Sequence, residues 1–175
     1  MNDLSPFYPR QSLNKVPQWV HRLIPGLALA LMVVSGAALA ADVPNFSGTW
    51  VLNTDKGENL GMVAALKETV KITQTPQQMT LDFSTVFMGK TTQRQVNYDL
   101  TGKPVPNEGA MGDKASTVTT WADGKLKAVW TGESAIPGNK TVKTETRALS
   151  ADGKSMTVTN VRGAKPPMVM VYEKQ

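Results

Sequence analysis

The sequence predicts an all-β fold, an antiparallel meander of nine or ten strands that closes into a barrel. Three observations lead to this prediction. From Phe46 onward, short runs of residues alternate apolar with polar side chains at the period of a β-strand. Turn signals such as Asp123-Gly124 and Asp152-Gly153 separate these runs and place successive strands side by side. A meander of this many strands removes its exposed edges by closing on itself.

Residues 1–40 differ from the rest of the chain and are predicted to be a cleaved signal peptide. Three basic residues precede an apolar stretch from Leu27 to Leu39, and a small-x-small cleavage motif ends at Ala40. An uncleaved membrane anchor is the alternative, but the apolar core is shorter than the ~20 residues that a spanning helix needs. We therefore expect an exported protein, periplasmic or extracellular, with a single barrel domain at 41–175 and no transmembrane span in the mature chain.

The composition of the expected mature chain excludes several kinds of chemistry. The single histidine, His21, lies in the leader and the chain has no cysteine. Catalytic Ser-His-Asp or Cys-His groups and zinc sites built from His or Cys are therefore excluded. Cleavage removes three of the 19 basic residues and one of the 14 acidic ones, which leaves a net charge of +3 without a block of consecutive Lys or Arg. We expect no metal, no cofactor and no nucleic-acid partner.

The predicted strands follow one another through short connections. In the third strand, for example, Met79, Leu81 and Phe83 alternate with polar residues, which gives one face for a core and one for water. The predicted strands are 47–53, 66–75, 78–86, 91–100, 114–122, 125–132, 140–149, 154–162 and 167–174, with a short additional strand at 103–107. One or two helical turns are predicted between Gly61 and Lys67. Loops are predicted at 104–113 and 132–139.

The two ends of the mature chain resemble those of the calycins, the lipocalins and fatty-acid-binding proteins. The run from Phe46 to Leu52 contains Gly48 and Trp50 in the Gly-x-Trp arrangement of the first calycin strand, and the segment around Tyr172 is similar to the last strand of the fatty-acid-binding proteins. This resemblance implies a calycin-like barrel whose first and last strands are adjacent. It also implies that Trp50 closes one end of the barrel, with its indole N–H bound to a backbone carbonyl.

The chain also resembles a set of small exported bacterial proteins of unknown function, and it departs from the fatty-acid-binding proteins in two respects. Met170 stands where those proteins carry the arginine of an Arg-x-Tyr pair that grips the ligand carboxylate. Only about fifteen residues follow the first strand before the second, which is too few for the pair of lid helices found there. The resemblance therefore implies the fold more strongly than it implies a fatty-acid carrier.

The candidate ligand-binding site consists of large side chains that alternation places on the inward faces of the predicted strands. They are Phe83, Arg94, Tyr98, Trp121, Trp130, Met168, Met170 and Tyr172. The two methionines would give the lumen a soft apolar wall, although the same residues also suit an ordinary packed core.

A second interpretation concerns the arginine that would hold an anionic head group. Alternation places Arg94 on the same face as Val96 and Tyr98, whereas Arg147 shares its face with two other charged residues. Arg94 is therefore the predicted anchor. The acidic residues show no pair on an apolar face, so Glu68 and the others are interpreted as solvated.

These observations predict a non-catalytic binding module, monomeric and exported, that holds a small hydrophobic or amphipathic molecule in the barrel lumen. One alternative is a structural or protein-interaction barrel of the cell envelope with a filled lumen. A second is a histidine-free isomerase or cyclase, which would be favoured if Tyr98 or Tyr172 lay within hydrogen-bond reach of a buried acid or lysine.

Overall fold

Ten antiparallel strands make up the part of the chain that the computed structural model describes, residues 43–133 and 138–175. The predicted signal peptide at 1–40 lies outside the described residues. The strands are β1 Gly48–Glu58, β2 Lys67–Gln74, β3 Gln78–Phe87, β4 Lys90–Asp99, β5 Val105–Glu108, β6 Lys114–Ala122, β7 Lys125–Glu133, β8 Lys140–Leu149, β9 Ser155–Arg162 and β10 Met168–Lys174, and a 3-10 helix, Gly61–Ala65, joins β1 to β2. None of the helices within these ranges has the length and hydropathy of a membrane-spanning segment.

The strands form one sheet in the order β4-β3-β2-β1-β10-β9-β8-β7-β6-β5. Neighbouring strands in sequence pair, as expected for a meander, except β4 and β5, and β1 also pairs with β10. In that ladder Trp50 lies opposite Lys174, and Leu52 lies opposite Tyr172. The predicted all-β barrel of nine or ten strands, with its first and last strands adjacent, is therefore confirmed.

The barrel is nearly closed, and a side chain spans the remaining gap between β4 and β5. Asn107 on β5 donates from Nδ2 to the carbonyl of Asn97 on β4 at 2.8 Å. The backbone N–H of Asn97 in turn donates to Oδ1 of Asn107 at 2.9 Å. An asparagine side chain carries both an acceptor and a donor, so it reproduces one step of a β-ladder where the two backbones do not pair.

The core lies inside the barrel, and one end of it is closed by aromatic side chains. Trp50 is fully buried and its Nε1 donates to the carbonyl oxygen of Phe46 at 2.9 Å. The ring of Phe46 lies 6.1 Å from that of Trp121. Gly48 begins β1 with φ of 140°, a conformation that L side chains rarely adopt, and a Cβ there would lie 2.9 Å from Cε of Lys174.

Two elements differ from the prediction in extent. β1 continues to Glu58 rather than ending at residue 53, because the chain pairs again with β10 after an irregularity between Asn53 and Glu58. This second part of β1 is polar, and alternation of apolar residues could not have revealed it. The helical segment is a 3-10 helix of five residues with no fully buried side chain, and its Val63 packs against the core.

Candidate ligand-binding cavity

A cavity of about 420 Å³ lies within the barrel at the end opposite Trp50. Its mouth is formed by the 3-10 helix, the β5–β6 turn and the β9–β10 turn, which contribute Val63, Met111 and Pro166 respectively. Its volume lies within the range of small-molecule sites in proteins, about 300–1,000 Å³. The lumen of this barrel is therefore not filled by its own side chains.

Apolar side chains form most of the cavity wall. Phe83 on β3, Val96 on β4 and Trp130 on β7 belong to the buried core and face the cavity with inward parity. Met168 and Met170 on β10 add two thioethers near the mouth. These side chains can bury a hydrocarbon chain, which contributes about 25 cal/mol per Å² of apolar surface removed from water.

A buried cluster of polar side chains interrupts this apolar wall. Glu145 on β8 accepts a hydrogen bond from the hydroxyl of Tyr98 at 2.8 Å. The same carboxylate oxygen accepts from Nη2 of Arg147 at 2.6 Å, in an ion pair whose two side chains are almost completely buried. Nζ of Lys143 lies 3.9 Å from the other oxygen, Oε2. Oε1 of Glu145 therefore accepts two hydrogen bonds, whereas Oε2 has only the charge of Lys143 near it.

A second tyrosine–glutamate contact lies on β2 and β10. The hydroxyl of Tyr172 donates to Oε1 of Glu68 at 2.7 Å, and Oγ1 of Thr85 donates to Oε2 of the same residue at 2.8 Å. Glu68 therefore lines the lumen, contrary to the interpretation of Glu68 as a solvated residue. Alternation carried the signal, because Glu68 has the same parity on β2 as Val70 and Ile72, and only its charge suggested that it faced water.

The charges of this cluster determine its protonation states. Burial by itself would raise the pKa of Glu145, but the neighbouring cations Arg147 and Lys143 outweigh it and lower the pKa. The pKa of Tyr98 is raised, first by burial and then by the negative charge of Glu145. The pKa of Tyr172 is raised as well, by burial and by Glu68. Both tyrosines are therefore neutral hydrogen-bond donors, and Glu145 is a carboxylate.

Three buried polar atoms at this cavity have no hydrogen-bond partner among the described residues. They are Nε of Arg147, Nε1 of Trp130 and Oδ1 of Asn160. Nη1 of Arg147 reaches only the thioether sulfur of Met156, at 3.8 Å, and sulfur is a weak acceptor. Buried polar groups normally have partners, because leaving one unpaired costs ~1–3 kcal/mol. Two N–H donors and one acceptor on residues that line the cavity are thus left without a partner among the described residues.

The described lining of the cavity carries more positive than negative charge. Its five cationic side chains are Arg94, Lys143, Arg147, Arg162 and Lys165, and its three carboxylates are Glu68, Asp113 and Glu145. The resulting net charge of +2, combined with the unpaired donors of Arg147 and Trp130, favours a ligand group that accepts hydrogen bonds or carries negative charge. Within the described residues, no three His, Cys, Asp or Glu side chains form a group suited to a metal ion.

The structure brings seven of the eight predicted site residues to the cavity. They are Phe83, Arg94, Tyr98, Trp130, Met168, Met170 and Tyr172. Trp121 lies elsewhere, against Phe46, because the β6–β7 register places it opposite Leu126 toward the closed end of the barrel. That these residues bind a ligand stays a prediction.

The inference that Arg147 faces away from the lumen is wrong, whereas the anchoring role of Arg94 stays a prediction. Arg94 does reach the cavity, but its guanidinium stacks 4.3 Å from the ring centre of Phe83. Arg147 is the deeper of the two, only 3% exposed, and points into the lumen with its neighbour Glu145. The sequence suggested that the charged face of β8 was the outer one, whereas the outward face carries the uncharged run Val142, Thr144, Thr146 and Ala148.

No protein-family model matches this chain, and no curated protein sequence is significantly similar to it. Solved structures do match in shape. Human cRBP IV has a TM-score of 0.59 at 14% identity, with 75% of this chain and 99% of that chain covered. The REP1-NXSQ fatty acid transporter has a TM-score of 0.58 at 15% identity, with 74% and 95% covered.

A third matching structure is a Schistosoma mansoni fatty acid binding protein in complex with arachidonic acid. Its TM-score is 0.58 at 18% identity, with 76% of this chain and 98% of that chain covered. At such identities the likeness concerns the fold. The chain has the calycin barrel fold, as the resemblance of its two ends predicted.

Proposed function

We propose that this chain is an exported binding protein for a small amphipathic molecule, whose apolar part lies along the cavity wall and whose polar end reaches Arg147 and Trp130. The observation that carries the proposal is the pair of unsatisfied buried donors, Nε of Arg147 and Nε1 of Trp130, at a cavity with apolar walls. Ligand oxygens that reach these donors would remove the cost of leaving them unpaired.

The polar cluster supports binding more than catalysis. A general base needs a free oxygen within reach of the proton that it removes. Oε1 of Glu145 already accepts from Tyr98 and Arg147, and Glu68 accepts from Tyr172 and Thr85. The condition set for a proton-transfer enzyme, a tyrosine beside a buried acid, is met in geometry. Three of the four carboxylate oxygens already accept hydrogen bonds, and the fourth, Oε2 of Glu145, lies 3.9 Å from the ammonium of Lys143. The three matching structures bear the names of binding or transport proteins, which agrees with a binding role.

A direct test is to titrate the purified protein with decanoic acid and with decanol. Both ligands have the same apolar chain, so equal affinities would mean that burial of this chain alone accounts for binding. We expect decanoic acid to bind more tightly by at least about tenfold, which is the worth of one hydrogen bond to a charged group. Binding of neither compound, with no molecule released on native mass spectrometry of freshly purified protein, would favour the alternative of a structural barrel.

The export of the protein is part of this proposal and has a separate test. Support for it comes from the basic leader, the apolar stretch and the small-x-small motif of residues 1–40. When the full chain is expressed in a Gram-negative bacterium, we expect the periplasmic fraction to contain a protein whose first residue is Ala41. A chain that keeps residues 1–40 and stays with the membrane fraction would contradict cleavage.

A further inference from the structure

Lys143 has a position in the cavity that the proposed binding mode does not use. On β8 it lies opposite Trp130 of β7 and Arg162 of β9. Its Nζ is 4.1 Å from the ring centre of Trp130 and 3.9 Å from Oε2 of Glu145. The side chain is 27% exposed, and it lines both the main cavity and a smaller one of about 240 Å³ beside the β5–β6 turn. Its amine is therefore held inward but remains within reach of an entering molecule.

The surroundings of Lys143 favour the uncharged amine more than those of an exposed lysine do. Burial lowers its pKa, and Arg94 and Arg147 lower it further, against the opposite effect of Glu145 and Asp113. Arg162, directly across on β9, adds another cation on the same side of the cavity. A lysine amine reacts with a carbonyl carbon only when it is unprotonated, so these neighbours increase its reactivity.

We propose that Lys143 captures an aldehyde with an apolar tail by forming an imine inside the cavity. The unprotonated amine nitrogen bonds to the carbonyl carbon, its two hydrogens leave with the carbonyl oxygen as one water molecule, and a C=N bond replaces the C=O bond. No oxidant or reductant takes part, so the step is reversible by addition of water. The inference rests on the proposed function, since the tail of the aldehyde must occupy the same apolar cavity.

The contacts of the ammonium group suit the product as well. A protonated imine carries the same single positive charge at nearly the same place as the Lys143 ammonium. The ring face of Trp130 attracts either cation, and the carboxylate of Glu145 stays close enough to pair with it. After the bond forms, the carboxylate of Glu145 and the ring face of Trp130 therefore still have a positive charge beside them. Walls of low polarity also limit the water that would hydrolyse the imine.

The test uses decanal with sodium cyanoborohydride, which reduces an imine to a stable secondary amine, followed by peptide mapping of the modified lysines. We expect one decyl group on Lys143, added about tenfold faster than on exposed lysines, because the cavity holds the aldehyde beside this amine. Lys143→Arg keeps the charge and should remove this fast modification. Lys127→Arg, at an exposed position on the outside of β7, should leave it unchanged.

Decanol separates failure of this inference from failure of the proposed function, because it has the same tail but forms no imine. If decanol binds and decanal modifies the exposed lysines with Lys143 untouched, imine capture is rejected and the binding function stands. If neither decanol nor decanal enters the cavity, both are rejected. Propanal, which lacks the apolar tail, should lose the selectivity for Lys143. Equal selectivity with propanal would contradict capture through the cavity.

Discussion

Nη2 of Arg147 lies 2.6 Å from Oε1 of Glu145 in the interior of the barrel, and both residues lie on the same strand two positions apart. Taking two charges out of water is costly, so a buried ion pair need not add stability compared with an apolar pair. Removing one partner alone is different, since it leaves an uncompensated charge in the lumen. This relationship governs how the barrel responds to mutation and to pH.

Glu145→Gln should destabilise the protein by roughly 3–5 kcal/mol, because it leaves the buried charge of Arg147 unpaired. The measurement is the free energy of unfolding from urea denaturation. The double variant Glu145→Gln with Arg147→Met removes both charges and should recover part of that loss. A single variant as stable as the wild type would show that the pair does not hold the lumen together.

Stability should also fall in acid through Glu145. The pKa of Glu145 is lowered in the folded state, so the unfolded chain takes up the proton first as the pH decreases. The contribution is complete above the ordinary glutamate pKa of about 4.3 and is lost as the pH falls through the lower folded value. Thermal unfolding of wild type and Glu145→Gln, measured between neutral pH and about pH 3, should show the steeper acid dependence in the wild type. Parallel curves would contradict this.

Asn107→Ala should loosen the seam between β4 and β5. It removes the two hydrogen bonds to the backbone of Asn97, which are worth ~0.5–1.5 kcal/mol each. We expect faster amide hydrogen exchange at Asn97, with little change at Leu81 in the middle of the sheet. Asn107→Asp keeps the acceptor and should retain the protection of the Asn97 amide. An equal increase at Asn97 and Leu81 would indicate global destabilisation instead.

Met168→Ala and Met170→Ala should each weaken the binding of decanoic acid and of decanol alike, by roughly tenfold, because each substitution removes part of the apolar cavity wall.

Arg94→Ala should weaken only the binding of the acid. Arg94 adds positive charge to the cavity, but its guanidinium lies over the ring of Phe83. The same titration measures all three variants. A loss of decanol binding in Arg94→Ala would mean that its stacking on Phe83 shapes the wall.

The sequence predicted the fold well because alternation and turn residues are local signals. Asp123-Gly124 and Asp152-Gly153 lie in the predicted hairpins, and the two ends of the chain pair as the position of Trp50 and Tyr172 implied. The later part of β1 was missed, since its pairing with β10 depends on residues more than a hundred positions away.

Alternation within one strand misses the polar cluster, because it assigns charged residues to water. Glu145 and Arg147 compensate each other, which allows both to lie inside. The hairpin after β8 carried a usable signal: its register places Arg147 opposite Val158, and residues directly opposite in an antiparallel pair share a face. The apolar alternation of Met156 and Val158 on β9 would then have placed Arg147 inward.

The central claim is that a ligand's polar end reaches the unsatisfied donors at the inner cavity, and the two buried indoles make it directly measurable. Nε1 of Trp130 has no partner among the described residues, whereas Nε1 of Trp50 donates to Phe46. In a nitrogen–proton NMR titration with decanoate, we expect the Trp130 indole and the Arg147 Nε resonances to shift and saturate together while the Trp50 indole stays in place. Saturable binding of decanoate that leaves Trp130 and Arg147 unshifted would contradict the account.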